Sequence, residues 1–184
     1  MERGNNPWRQ AARRTVYGNH WLTVWEDEVV RPDGEPGIYG VVHFEHRAVG
    51  VVPMDGAGRV LLVGQWRYAL ESWSWEIPEG GATMDEDPLD AARRELAEET
   101  GYTASDWKRL LRAHLSNSVT DEEAFVWVAR DLEEGQATPE GTEQLELRWV
   151  DFDEALAMCR DGRITDALSI LGFQALALDM RRTD

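Results

Sequence analysis

The chain has 184 residues, of which 42% are hydrophobic, and its 35 acidic and 19 basic residues give a formal net charge of -16. This length suffices for one well-buried core with a smaller sheet appended. A surface this acidic should repel nucleic acids and anionic membranes. Cys159 is the only cysteine, which excludes an intrachain disulfide framework and a cysteine metal site. Residues 1–20 lack the apolar segment of a signal peptide, and no run is long enough to cross a membrane, so we expect a cytoplasmic protein.

The first third of the chain is predicted to form short strands. Residues 1–14 are polar, and we expect them to be poorly ordered. Strands at about 21–25 and 38–42 flank a turn rich in proline and glycine. A second hairpin is expected from residues 51–54 and 60–63, joined by Asp-Gly-Ala-Gly.

The remainder of the chain mixes helices with strands. Residues 76–81 are expected to end a strand in a tight glycine turn, and a helix should follow from about Pro88 to Thr100. Asp87 suits the N-cap, Pro88 the first helical position and Gly101 a left-handed C-terminus. The later predicted elements are strands at about 110–115 and 125–128, a loop over 133–142, and helices beginning near 151 and after 165. This mixture predicts an α+β domain with an α/β/α sandwich.

Residues 80–102 fit the pattern G-x5-E-x7-R-E-U-x-E-E-x-G-U, in which U is apolar. The fixed positions are Gly80, Glu86, Arg94, Glu95, Leu96, Glu98, Glu99, Gly101 and Tyr102. Such a match should occur by chance at roughly one starting position in a billion or fewer. In a helix, Glu95, Glu98 and Glu99 crowd onto one stripe, where their repulsion favours a bound cation. All-oxygen ligation indicates a hard divalent ion, Mg²⁺ or Mn²⁺, and Arg94 can pin one carboxylate.

This pattern resembles the Nudix box, and the flanking segments resemble the ADP-ribose and nucleoside-diphosphate-sugar pyrophosphatase branch of that family. The resembling segments are residues 29–34, 60–68, 75–81, 143–150 and 161–166. The resemblance implies a Nudix α/β/α sandwich with an N-terminal antiparallel sheet region. We therefore assign residues 1–48 to a tail and sheet region that forms a homodimer, and residues 49–184 to the Nudix hydrolase domain.

The resemblance also implies roles for individual residues. It adds the backbone carbonyl of Glu79 to Glu95, Glu98 and Glu99 as metal ligands. The catalytic candidates are Arg94, Glu95, Glu98 and Glu143, and the substrate-binding candidates are Arg67 and Glu76. Arg67 leaves a strand just before the box and could reach a diphosphate as a bidentate cation. The general base is left open between Glu143, Glu140 and a box carboxylate.

We therefore expect Mg²⁺-dependent hydrolysis of nucleoside diphosphate sugars to a nucleoside monophosphate and a sugar phosphate. ADP-ribose is the first candidate substrate. ADP-ribose-selective members commonly carry a proline in a loop after the box, where this chain has Asn117, so the preferred sugar is open. Two alternatives remain: hydrolysis of dinucleoside polyphosphates or other nucleotides, and binding of ADP-ribose without cleavage. The intact Arg94, Glu95, Glu98 and Glu99 argue against the second alternative.

Overall fold

The computed structural model describes residues 5–138 and 144–181. The chain divides into two compact units, of which the first comprises residues up to 46 together with 114–122, and the second comprises 47–113 and 123 onwards. Within the described ranges, no helix is both long enough and apolar enough to cross a membrane.

The first unit is built on a three-stranded antiparallel sheet in the order β1-β2-β3. Its strands are β1 (Arg9–Gly18), β2 (Leu22–Val30) and β3 (Pro36–Phe44). The predicted strands at 21–25 and 38–42 are confirmed by β2 and β3. The expectation of disorder before residue 15 is wrong for residues 9–14, which lie in β1. All 10 residues of β1 are exposed, so the strand lacks the apolar alternation that sequence patterns detect.

Two cross-strand ion pairs help to hold the polar strand β1 against β2. Arg13 opposes Asp27 and Arg14 opposes Glu26, each pair with a shortest N–O distance of 2.7 Å. Opposite charges directly across a sheet stabilise the pairing. The backbone ladder with β2 and these ion pairs order β1 without a buried side chain.

The loop that carries Asn117 belongs to the first unit, where it is fastened to β3. The backbone N–H of Val42 donates to the Val119 carbonyl at 2.8 Å, and the Tyr39 hydroxyl donates to the Ser118 carbonyl at 2.6 Å. The N–H of Phe44 donates to the Asp121 carboxylate at 3.1 Å. Asn117 itself is exposed.

Within the described residues, the second unit contains two sheets and three helices. The sheets have the strand orders β10-β5-β6 and β7-β4-β9-β8. The strands are β4 (His46–Pro53), β5 (Arg59–Arg67), β6 (Ser72–Glu76), β7 (Glu79–Thr83), β8 (Tyr102–His114), β9 (Glu123–Glu134) and β10 (Glu146–Asp151). The helices are α1 (Pro88–Thr100), α2 (Phe152–Asp161) and α3 (Ala167–Met180), with a 3₁₀ turn at Tyr68–Leu70. The α+β class is confirmed.

The predicted hairpin between residues 51 and 63 is wrong, although both strands and the turn exist. A single bridge joins Met54 to Val60, after which β4 and β5 enter different sheets. Strand β4 instead pairs in parallel with β9, with Val51 opposite Trp127. Residues 49–53 are all buried, so both faces of β4 are covered, as is typical of a central strand. The turn at 55–58 redirects the chain from one sheet to the other.

Helix α1 begins and ends where local signals predicted. The Asp87 side chain accepts a hydrogen bond from the Leu89 N–H at 2.8 Å, and Gly101 ends the helix with a φ of 76°. The buried residues Ala91, Ala92 and Leu96 pack this helix against the sheet in one hydrophobic cluster. Small alanine side chains allow the helix to approach the sheet closely, which places its acidic stripe beside β7.

Candidate active site

The guanidinium of Arg94 organises the acidic stripe of α1. It donates to Glu95 at 2.8 Å, to Glu98 at 3.0 Å and to the Gly81 carbonyl at 2.9 Å. A longer ion pair of 3.4 Å joins it to Glu86. Burial lowers the Arg94 pKa, but the contacts with these carboxylates together outweigh burial and leave the pKa above its ordinary value. Arg94 thus supplies the positive charge that the crowded carboxylates require.

Gly80 allows the carboxylate of Glu95 to reach the strand. The predicted glycine turn is wrong, since Gly80 lies within β7. A Cβ atom placed on Gly80 would lie 2.1 Å from Glu95 Cδ and 2.2 Å from Oε1. The glycine is therefore required by close approach rather than by a turn. Burial raises the pKa of Glu95, and Arg94 opposes that shift.

Glu99 fastens α1 to the residue that precedes Gly80. Its side chain is buried, and its Oε2 accepts a hydrogen bond from the Glu79 backbone N–H at 3.2 Å. Glu98 is the most solvent-accessible of the three stripe carboxylates, with 36% of its side chain exposed. The structure therefore brings Glu95 and Glu99 to the same stretch of β7 and leaves Glu98 open to solvent.

A second network lies at the end of β5. Arg67 donates to both oxygens of Glu76, with a shortest distance of 2.5 Å, and to Glu79 Oε1 at 2.6 Å. Burial and the nearby Asp166 and Glu76 raise the pKa of Glu79 well above its usual range, although Arg67 lowers it. Among the described residues, Glu79 Oε2 is buried and has no hydrogen-bond partner. The two substrate-binding candidates, Arg67 and Glu76, are thus in contact, and the side chain of Glu79, which was expected only to offer its carbonyl to a metal, joins them.

A cavity of about 580 Å³ opens beside this network. Its lining includes Arg67, Ser74, Glu76, Glu79, Thr165 and Asp166. Sequence reasoning assigned no role to Thr165 or Asp166. The signal available for Asp166 was its position as a possible N-cap, three residues before Ser169, but the sequence pattern predicted only the start of a helix after residue 165.

Two of the three candidates for the general base, Glu140 and Glu143, lie outside the described residues, whereas the stripe carboxylates of the box lie on α1. Within 5–138 and 144–181, no three His, Cys, Asp or Glu side chains are arranged so that they could hold a metal ion. The candidate ligands nevertheless suit a hard cation, since the Glu79 carbonyl and the three stripe carboxylates offer only oxygen atoms. A further buried oxygen, Glu79 Oε2, has no hydrogen-bond partner within the part of the chain that the structure describes. A cation bound at the stripe would compete with Arg94 for the oxygens of Glu95 and Glu98.

The chain matches the models of two protein families. The profile described as NUDIX domain matches residues 44–168, which include the whole box, and the profile described as nucleoside diphosphate sugar hydrolase N-terminal domain matches residues 8–42. A crystal structure of an ADP compounds hydrolase has the same fold, with a TM-score of 0.88 over 99% of this chain and 98% of that chain at 19% identity.

Two bacterial proteins are similar over most of their length. A CMP-5'-(N-acetyl-N-hydroxy-3-aminopropyl)phosphonate hydrolase of Streptomyces rubellomurinus is 31% identical over 92% of this chain and 82% of its own. An ADP-ribose pyrophosphatase of Mycobacterium tuberculosis is 32% identical over 88% of this chain and 79% of its own. The chain belongs to the Nudix hydrolases, a family of enzymes that generally depend on a divalent metal ion.

Proposed function

We propose that this enzyme hydrolyses the pyrophosphate bond of nucleoside diphosphate sugars, with ADP-ribose the first candidate and Mg²⁺ as the cation. The observation that carries the proposal is the fastening of the acidic stripe of α1 to β7 at Glu79, a residue that also contacts Arg67 and lines the cavity. The name of the Mycobacterium tuberculosis relative and the family of the N-terminal profile support the same substrate class.

The proposed metal ligands are the Glu79 carbonyl and the carboxylates of Glu95, Glu98 and Glu99. A divalent ion bound there would neutralise the diphosphate and lower the pKa of a water for attack on phosphorus. Arg94 holds Glu95 and Glu98 in one orientation, and Glu99 fixes the Glu79 backbone. These contacts limit the reorganisation needed before reaction, which is a main contribution that a protein makes to this chemistry.

Arg67 is the proposed diphosphate ligand. Its side chain remains 37% exposed at the cavity, although it also pairs with Glu76 and Glu79. Glu76 is almost fully buried, so we assign it to substrate binding through Arg67, which it orients. Glu143 remains the proposed general base.

A substrate panel with products resolved by mass tests the proposal. It comprises ADP-ribose, ADP-glucose, GDP-mannose, UDP-glucose, diadenosine polyphosphates, nucleoside triphosphates and a CMP-phosphonate conjugate, each with and without Mg²⁺. We expect several nucleoside diphosphate sugars to be cleaved, because the Asn117 loop lacks the proline of ADP-ribose-selective members. Chelation should abolish turnover, and Mg²⁺ should restore it.

The panel also decides between the alternatives. The branch assignment is wrong if triphosphates, dinucleoside polyphosphates or the CMP conjugate exceed every sugar nucleotide about tenfold in kcat/KM, or about 1.4 kcal/mol in transition-state stabilisation. Binding of ADP-ribose without any turnover would favour a non-catalytic module.

We further propose that the chain is a homodimer joined through residues 1–48. Four large apolar side chains of the first unit are 53–70% exposed: Val16, Tyr17, Trp21 and Ile38. Trp25, by contrast, is covered by Arg13 on its ring and stacked on His43, so Trp21 is the better interface candidate.

Light scattering on the full chain should give the mass of a dimer, and a double substitution of Trp21→Ser and Ile38→Asp should weaken the dimer. A monomer at micromolar concentration contradicts this proposal.

A further inference from the structure

Three consecutive residues just before Gly80 each have one backbone group that hydrogen-bonds to a different element. The N–H of Ile77 donates to the Ser169 hydroxyl oxygen at 2.9 Å, and the Pro78 carbonyl accepts from the Val51 N–H at 2.9 Å. The N–H of Glu79 donates to Glu99. Segment 77–79 is therefore fixed from α3, β4 and α1 together.

The Ser169 hydroxyl in α3 hydrogen-bonds to a residue outside its own helix. A serine in a helix commonly hydrogen-bonds to its own helix, but Ser169 Oγ accepts from a residue 92 positions away in sequence. Ser169 has no exposed surface, and its own N–H donates to Asp166 Oδ2 at 2.7 Å. The N-cap of α3 thus fixes the turn that presents the hydroxyl.

The Ile77 N–H lies too deep for solvent to replace the hydroxyl if it is removed. Ile77 is 1% exposed. Its side chain packs so closely that Cβ atoms built on Gly50 and Gly172 would lie 2.8 and 3.6 Å from Ile77 Cδ1. A buried N–H without an acceptor is costly, so the segment would have to rearrange to find one.

Such a rearrangement would reach Glu79 directly. Ile77 and Glu79 are two positions apart in sequence, and the ring of the intervening Pro78 fixes one of the backbone dihedral angles between the Ile77 N–H and the Glu79 carbonyl. We propose that Ser169 is a positioning residue for the metal site. Its hydrogen bond to the Ile77 N–H fixes the direction in which the Glu79 backbone carbonyl points. This inference rests on the proposed function in so far as that carbonyl is a ligand.

Direct titration with Mn²⁺ in the absence of substrate tests the proposal on the full chain. We expect Ser169→Ala to weaken Mn²⁺ binding at least about tenfold, the effect typical of removing a group that orients a metal ligand. Much of the lost hydrolysis should be recovered at high metal concentration. Ser169→Thr keeps the hydroxyl and should restore most of the affinity.

Leu176→Val is the matched control, because Leu176 is fully buried on α3 but lies two turns beyond Ser169. It should lower the melting temperature and leave Mn²⁺ affinity unchanged. Unchanged affinity in Ser169→Ala overturns the proposal, as does loss of the fold in both Ser169 variants, since the hydroxyl would then be purely structural. If the wild type binds Mn²⁺ but cleaves no nucleoside diphosphate sugar, the proposed function fails while this test still reports on Ser169.

Discussion

Glu98→Gln and Glu99→Gln should each reduce metal-dependent turnover at least about a hundredfold, or about 2.7 kcal/mol, and leave the protein folded. Each substitution removes one negative charge from the proposed metal site while keeping the size of the side chain. The amide oxygen introduced at position 98 can still accept from Arg94, and the one introduced at position 99 can still accept from the Glu79 N–H. The hydrogen bond within α1 and the one that fastens α1 to β7 therefore survive. Turnover and thermal unfolding are to be measured together over a range of Mg²⁺ concentrations.

Asp90→Asn is the control for these two variants. Asp90 lies on the same helix and pairs with Arg93, but its side chain is 65% exposed and away from the stripe. It should retain full turnover. Near wild-type turnover of Glu98→Gln or Glu99→Gln at saturating Mg²⁺ would remove that residue from the metal site.

Local signals made α1 predictable to the residue. Asp87, Pro88 and Gly101 act within one turn of the helix ends, so no knowledge of the rest of the fold was needed. The acidic stripe follows directly from helical spacing, and the resemblance to the Nudix box follows from fixed residues that lie close together in sequence. In the first unit, clusters of apolar residues predict strands β2 and β3. Strand β1 has no such cluster, because ion pairs with β2 rather than buried apolar side chains hold it, so the sequence pattern does not predict it.

Features that depend on distant pairing were not predictable. The Asp-Gly turn at 55–58 indicated a hairpin, but the parallel pairing of β4 with β9, more than 70 residues later, overrides it. The hydroxyl of Ser169 lies in α3 and the carboxylate of Asp166 at its N-cap, where sequence patterns predict a helix but not the contacts of these two side chains. Periodicity reports which face of an element is buried, and not which backbone group a buried polar side chain contacts.

Gly80→Ala should abolish most of the turnover with little loss of stability. A glycine in a strand is ordinarily less favourable than alanine, so the substitution alone would be expected to help the fold. Here the new Cβ would fall on the carboxylate of Glu95. Because that carboxylate is the end of a flexible side chain, it can swing away, and we expect a change in unfolding free energy of no more than about 1–2 kcal/mol.

The cost should appear in catalysis instead, because a displaced Glu95 loses both its place beside β7 and its contact with Arg94. Gly56→Ala is the control, since no atom lies within 4 Å of a Cβ built there. If Gly80 acts through Glu95, adding Gly80→Ala to Glu95→Ala should cause no further loss of turnover, whereas independent effects would add. A fully active Gly80→Ala enzyme would mean that the carboxylate does not need the position it holds against β7. That result would withdraw Glu95 from the proposed metal ligands and leave the stripe to Glu98 and Glu99.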